Sequence, residues 1–249
     1  GQGDSMLIRG EKVILVDTGG KLEYQKEAWQ KKKTSSYAER VIIPYLKATG
    51  ITKIDYLVLT HGDYDHMGES ISLVENFPVR HVIFNHDSYN DLEQKLMKQL
   101  QRKNIDYVRN VKTIVAGNLQ LHFLNHTLYD NENDNSSVIY LKFGKLKTLL
   151  MGDASTKVET ALLEQYQLND VDILKVGHHG SKTSTSKEFM NVITPQYAFI
   201  SVGKNNRYGH PDHQVLNHLK KSHVFRTDEQ GSIIIKQYHN RYEIKTCIN

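Results

Sequence analysis

The stretch His61-Gly62-Asp63-Tyr64-Asp65-His66 sets four candidate metal ligands within six residues, directly after the apolar run Leu57-Val58-Leu59-Thr60. The run reads as a buried strand. A strand that stops in a ligand-dense loop restricts what the chain can fold into. The strand must be held in a sheet, so that the loop is fixed and its side chains are aimed. Carboxylates and imidazoles this close repel or desolvate one another unless a cation lies between them. The alternative reading is a solvated polar turn.

The same pattern recurs along the chain. Ser5 to Arg9 and Val13 to Val16 read as a hairpin around Gly10, and its second strand runs into Asp17-Thr18-Gly19-Gly20. Residues 21–36 are polar and Lys/Gln-rich, and read as an exposed insertion. Tyr37 to Thr49 has helical spacing despite Pro44. Ser70 to Asn76 and Tyr89 to Lys103 follow as helices, the latter with Leu92, Leu96 and Leu100 on one face. Strands are expected near 79–84, 105–108, 112–116, 119–124, 138–143 and 148–151. The last ends in Gly152-Asp153, and Ser155 should cap a helix from Thr156 to Gln167. Val171 to Val176 delivers Gly177-His178-His179-Gly180-Ser181, and Tyr197 to Val202 delivers Gly203 to His210. Short helices are expected at 187–192 and 215–220, and strands near 223–226, 232–237 and 242–246. Strands interleaved with helices give an α/β (α+β) domain over 1–249, with sheets packed together and helices on their outer faces.

No apolar run approaches the roughly 20 residues needed to span a bilayer, so no membrane insertion by this chain is expected. Gly1 is not preceded by an initiator Met and no signal peptide is recognisable, so the expectation is a processed chain or a domain excised from a longer protein. The net charge of +4 permits a polyanionic partner without requiring one. A single cysteine, Cys247, excludes an internal disulfide and a thiolate cluster. The 13 histidines are the more telling count, although most of them, including His81, His86, His122 and His239, fit packing or surface roles. Lys31-Lys32-Lys33 is read as a solvated run.

Asp17, His61-x-Asp63-x-Asp65-His66, Asp153 and His178 together resemble the metallo-β-lactamase superfamily in order and type. A narrower resemblance is to the β-lactamase-like domain of ComEC-type DNA uptake channels. It is carried by Gly1-Gln2-Gly3-Asp4-Ser5, Thr60 to Gly68, Gly152 to Ser155, Val176 to Ser181 and Gly203 to Pro211. The resemblance implies an αββα sandwich of two mixed sheets. It implies a nuclease that degrades the DNA strand not taken up, at the extracytoplasmic face of the bacterial cell membrane, with a membrane channel domain elsewhere in the parent protein. It assigns His61 and Asp63 to one divalent cation, Asp65, His66 and His178 to a second, and Asp153 to both. Asp65, Asp153 and His210 are then the residues nearest the chemistry, while Asp17, Asn135 and His179 orient ligands.

Two departures stand out. Asp63 stands where the superfamily usually has His, and Asn135 lies where a further His would fall, with His126 a weaker candidate. Both shift the first site toward oxygen, which favours Mn²⁺, with Zn²⁺ or Mg²⁺ as alternatives. Ser181 and Lys182 form one donor set, and Lys204, Asn205, Asn206, Arg207 and Tyr208 another. Both suit the phosphates of DNA, and Tyr208 could stack on a base. Two other functions stay open at this point: a Zn²⁺-dependent small-molecule hydrolase of the same fold, and a non-catalytic DNA-binding protein at a channel mouth.

Overall fold

The computed structural model describes residues 3–20, 35–85, 89–238 and 241–248. Most of the expected insertion, the Lys31–Lys33 run, His86 and His239 lie outside the described residues. The described residues divide into two compact units, Gly3–Asn110 and Val111–Asn249.

The unit Gly3–Asn110 is built on a five-stranded sheet in the order β1 (Met6–Arg9), β2 (Val13–Val16), β3 (Ile54–Val58), β4 (Val79–Phe84) and β5 (Asp106–Arg109). β1 and β2 form the expected antiparallel hairpin. β2 through β5 run parallel. A central parallel strand is covered on both faces, which is why β3 carries Ile54, Leu57 and Val58 fully buried with little alternation. Among the described residues, this unit carries the α-helices α1 (Ile43–Ala48), α2 (Tyr64–Met67), α3 (Ser70–Asn76) and α4 (Asp91–Arg102). The Pro44 difficulty resolves locally. A π-helical turn, Ala38–Ile42, precedes α1 and leaves Pro44 in the first α-turn, where its missing N–H is no loss. Asn90 caps α4 by accepting from the Leu92 and Glu93 amides, and Glu93 reciprocates on the Asn90 amide. Leu96 and Leu100 then bury completely, each contributing about 1.5–3 kcal/mol relative to exposure.

The unit Val111–Asn249 holds a seven-stranded sheet in the order β12-β11-β10-β9-β8-β7-β6. These strands are β6 (Thr113–Ala116), β7 (Leu119–Phe123), β8 (Ile139–Phe143), β9 (Leu146–Leu150), β10 (Ile173–Lys175), β11 (Tyr197–Ile200) and β12 (His223–Arg226). β6 to β9 form an antiparallel meander, and β9 to β12 are parallel. The parallel crossovers are made by α5 (Thr156–Gln165), α6 (Lys187–Ile193) and α7 (His213–His218). Ser155 accepts from the Lys157 amide as the expected cap of α5. A short α8 (Thr227–Gln230) and a two-stranded ribbon, β13 (Ile233–Gln237) and β14 (Tyr242–Thr246), end the unit. Each unit has its own apolar core. In both, the polar turns predicted to carry chemistry lie just past the C-terminal ends of parallel strands, as expected for open α/β sheets. Among the described residues no helix is long and apolar enough to cross a membrane.

Candidate metal-binding loops

In the unit Gly3–Asn110, the loop after β3 is tied to the end of β2. The Asp17 amide donates to the Val58 carbonyl at 2.8 Å, continuing the β2–β3 pairing. Asp17 takes a left-handed φ of +58°, which turns its carboxylate toward Thr60. Its Oδ1 accepts from the Thr60 amide at 2.8 Å, and its Oδ2 from the Thr60 hydroxyl at 2.7 Å. The same Oδ2 lies 2.8 Å from His66 Nδ1. All of this is buried: Asp17, Thr60, His61 and His66 are each 0% exposed.

The network fixes the proton positions. A carboxylate only accepts, so His66 carries its proton on Nδ1. The Thr60 hydroxyl gives its one proton to Asp17, so its contact with His61 Nδ1 at 3.1 Å is made as an acceptor. His61 therefore also holds its proton on Nδ1. Both imidazoles keep their lone pairs on Nε2, the arrangement of ligating histidines backed by a carboxylate. The two rings sit with centroids 4.2 Å apart. Asp63 stands at the N-cap of α2 with its Oδ2 3.7 Å from His61 Nε2, and Asp65 and His66 lie within that one-turn helix. The helix is seated by glycine: a Cβ on Gly20 would come 2.0 Å from the Tyr64 carbonyl oxygen and 2.9 Å from Gly68 Cα. The loop's far side is held by Asn90, whose Nδ2 donates to the Gly62 carbonyl at 2.9 Å.

In the unit Val111–Asn249, Asp153 follows β9, and its amide donates to Ser136 Oγ at 3.0 Å. After β10 the chain turns through His178 (φ +46°) and His179 (φ +54°), two consecutive residues in the left-handed region. The turn swings both imidazoles onto Asp153, with His178 Nε2 3.7 Å and His179 Nε2 3.8 Å from Asp153 Oδ2. His179 Nδ1–H donates to the Ser201 carbonyl at 2.9 Å, so its lone pair too is on Nε2. The sequence reading gave the ligand role to His178 alone; the buried His179 is placed equally well for it.

The donor chemistry fits divalent cations. In each unit an imidazole Nε2 lone pair faces a carboxylate oxygen at 3.7–3.8 Å. For the buried His179–Asp153 pair, two acceptors face each other stably only across a proton or a cation, and that spacing is too long for a shared proton; Asp63, with its side chain 47% exposed, is open to water as well. Ligand atoms about 2.1 Å from one ion lie roughly 3.0–3.6 Å apart, within a few tenths of an ångström of the spacing seen.

The remaining expected residues separate into two kinds. Asn135 is buried and clamps its own loop, accepting from the Tyr129 amide at 2.8 Å and donating to the Tyr129 carbonyl at 2.9 Å. His126 Nε2 bonds the Phe123 carbonyl at 2.8 Å. Asn206, read from sequence as a phosphate donor, is a scaffold instead. Its Oδ1 accepts from the Tyr208 and His210 amides at 3.2 and 3.0 Å, and its Nδ2 donates to the Gly203 and His210 carbonyls. Ser181 is buried with its hydroxyl 3.0 Å from that of Thr183. Lys182, Lys204, Asn205, Arg207 and Tyr208 are exposed, as surface donors must be. His210 lies 6.0 Å from His178, ring to ring. Burial, and then the neighbouring His178 and His179, hold its pKa below the usual 6.5, so it is neutral at neutral pH. Thr60 and Ser136 were missed. A Thr before a His motif reads as a β-former, and its partner lies 43 residues away.

The metallo-β-lactamase superfamily model matches residues 1–204. The chain is 37% identical to ComE operon protein 3 of Bacillus subtilis over 97% of its length, and 32% identical to Recombination protein 2 of Haemophilus influenzae over 98%. It is 29% identical to Competence protein ComA of Neisseria gonorrhoeae over 94%. It spans about a third of the length of each, 32%, 29% and 30% respectively. Among solved structures, the metallo-β-lactamase fold protein YhfI from Bacillus subtilis aligns with a TM-score of 0.57 at 11% identity, covering 90% of this chain and 88% of that one. The β-hydroxylase CmlA from Streptomyces venezuelae aligns at 0.56 and 15% identity over 90% of this chain and 51% of that one, a likeness of fold alone. With the family match running from the first residue past the His178–His179 turn, and so over every ligand-bearing turn described above, the chain belongs to the metallo-β-lactamase superfamily.

Proposed function

We propose that this chain is a metal-dependent deoxyribonuclease that hydrolyses phosphodiester bonds and degrades the strand left behind during natural DNA uptake. The observation that carries the reading is the recurrence, in both units, of an imidazole with its lone pair fixed on Nε2 facing a carboxylate oxygen. The family pattern assigns His61, Asp63, Asp65, His66, Asp153 and His178 to a pair of divalent cations, and His179 joins them on its geometry. Bound there, the cations would supply Lewis-acid stabilisation of the phosphate and an acidified water. Asp17, acting through His66 directly and through Thr60, holds the imidazoles in one tautomer and orientation. His210, neutral beside His178, is suited to accept or relay a proton near the leaving oxygen. Lys182, Lys204 and Arg207 offer charge to phosphate oxygens.

Asp63, standing where the superfamily usually has His, gives the first site an added oxygen ligand, which favours Mn²⁺ over Zn²⁺ there. The competence and recombination names of the relatives, and the share of their length lying outside this chain, support DNA as substrate and a membrane channel domain in the parent protein. By the same resemblance, the domain works at the extracytoplasmic face of the bacterial cell membrane. The test is direct. Labelled single- and double-stranded DNA is incubated with Mn²⁺, Mg²⁺ or Zn²⁺ and with wild type or Asp65→Ala. Mn²⁺-dependent cleavage lost in the variant supports the proposal. Absence of cleavage with every metal, or an Asp65→Ala protein as active as wild type, rejects it. Salt-sensitive DNA binding without cleavage points to a non-catalytic role instead.

A further inference from the structure

The loop from Gly203 to Pro211 is built more rigidly than a loop that merely offers charges. Asn206 fastens it at four backbone points, including both the amide and the carbonyl of His210. What this scaffold presents is a row of flat side chains. Arg207 lies with its guanidinium carbon 5.0 Å from the Tyr208 ring centroid and donates to the Tyr208 hydroxyl at 2.8 Å. Tyr208 stacks on His210, centroids 5.8 Å apart and planes 14° from parallel. His210 in turn sits 6.0 Å from His178. The row steps inward from solvent to the Asp153–His178–His179 turn of the same unit. Its outer member is an aromatic ring 55% exposed to water. An aromatic residue left this open, yet held by a buttressed backbone and a stacked neighbour, has its orientation already fixed before anything binds.

Resting on the nuclease reading, we propose that Tyr208, braced by Arg207 and His210, is a stacking platform for an unpaired nucleobase, and that it selects single-stranded over double-stranded DNA. A base inside a duplex has both faces covered by its neighbours and offers none to a protein ring. Only an unstacked base can lie on Tyr208 without paying to leave a helix. Stacking tolerates any of the four bases, which suits degradation without regard to sequence. Arg207 adds a guanidinium plane and a charge toward the adjoining phosphate. Tyr208 is thus a specificity-determining residue, and His210 links the bound nucleotide to the metal-binding turn.

The experiment reads binding rather than cleavage and is run in chelator, so it does not depend on the nuclease reaction. A single-stranded oligonucleotide carrying 2-aminopurine is titrated into the full chain, and quenching of the base fluorescence reports stacking. The same probe placed inside a closed dumbbell duplex is the comparison. Wild type is expected to quench the single-stranded probe and to leave the duplex probe nearly unchanged. Tyr208→Ala should weaken single-strand binding about 10-fold and abolish the quench. Tyr208→Phe, which loses the hydroxyl held by Arg207 but keeps the ring, should retain most of both. Tyr208→Ala binding and quenching like wild type, or equal quenching of the duplex probe, overturns the proposal. A Tyr208-dependent quench in a protein that cuts no DNA leaves this inference standing and removes the nuclease reading.

Discussion

Replacing Asp17 by Asn tests the tautomer argument with almost no change of shape. The Thr60 amide is a fixed donor 2.8 Å from Oδ1, so the Asn oxygen must occupy that position. The Asn amide nitrogen then takes the place of Oδ2, 2.8 Å from His66 Nδ1. Two N–H donors cannot face each other at that distance, so His66 must move its proton to Nε2, the nitrogen needed for ligation. The Thr60 hydroxyl, now facing a donor, is freed to donate to His61 Nδ1, and that imidazole is pushed toward the same wrong tautomer. Losing such a carboxylate partner lowers metal affinity about 10–100-fold, roughly 1.4–2.7 kcal/mol. With two imidazoles affected by one change, the upper end is expected. The loss of two charge-assisted bonds in a site 0% exposed should also lower stability by about 1–3 kcal/mol. Calorimetric titration of Mn²⁺ into wild type and Asp17→Asn measures the first quantity, and nitrogen chemical shifts of the His61 and His66 rings read the tautomers directly. Unchanged affinity together with Nε2 still unprotonated in the variant would refute the reasoning.

Three further outcomes follow from the geometry. Gly20→Ala drives a Cβ to 2.0 Å from the Tyr64 carbonyl, and backbone on both sides leaves nothing cheap to move, so urea denaturation should show a loss of about 3 kcal/mol. Asn90→Ala removes the α4 cap and the bond to the Gly62 carbonyl together, and should lower stability by about 2 kcal/mol and weaken metal binding, whereas Ser155→Ala should lose about 1 kcal/mol and leave metal binding alone. Glu159 is buried while accepting from the Thr185 and Ser186 amides, and burial raises its pKa above the ordinary 4.5. A raised folded pKa means its contribution is full below 4.5 and declines as pH rises through the folded value. The stability gap between wild type and Glu159→Gln, measured by denaturation across that range, should therefore narrow toward neutral pH, and a gap that widens contradicts the assignment.

Local signals carried most of the fold. The β3 run and its ligand loop were legible because a buried parallel strand has no need of alternation, and the Ser155 cap is written in adjacent residues; Asn90, read inside a helix from Tyr89, is instead that helix's cap. What was not legible depended on distant partners. The π-helical turn that accommodates Pro44 shows in no periodicity, so Tyr37 to Thr49 read as one continuous helix. That His179 reaches Asp153 as well as His178 depends on two successive left-handed residues and on the Ser201 carbonyl 22 positions beyond His179. Asn135 read as a residue that orients a ligand and Asn206 as a substrate donor because an Asn amide looks the same in sequence whether it faces a ligand, a phosphate or its own backbone.

The pairing of β2 with β3, Val16 opposite Val58, is also the ruler that brings Asp17 to Thr60. Sliding one strand past the other by a single residue would turn Ile14, Leu15 and Val16 to the wrong faces and, by the same movement, carry the carboxylate away from both histidines. Core and chemistry thus share one measurement. An insertion within either strand is penalised twice, and a lineage altering this protein has more room to change its loops than to reset that alignment.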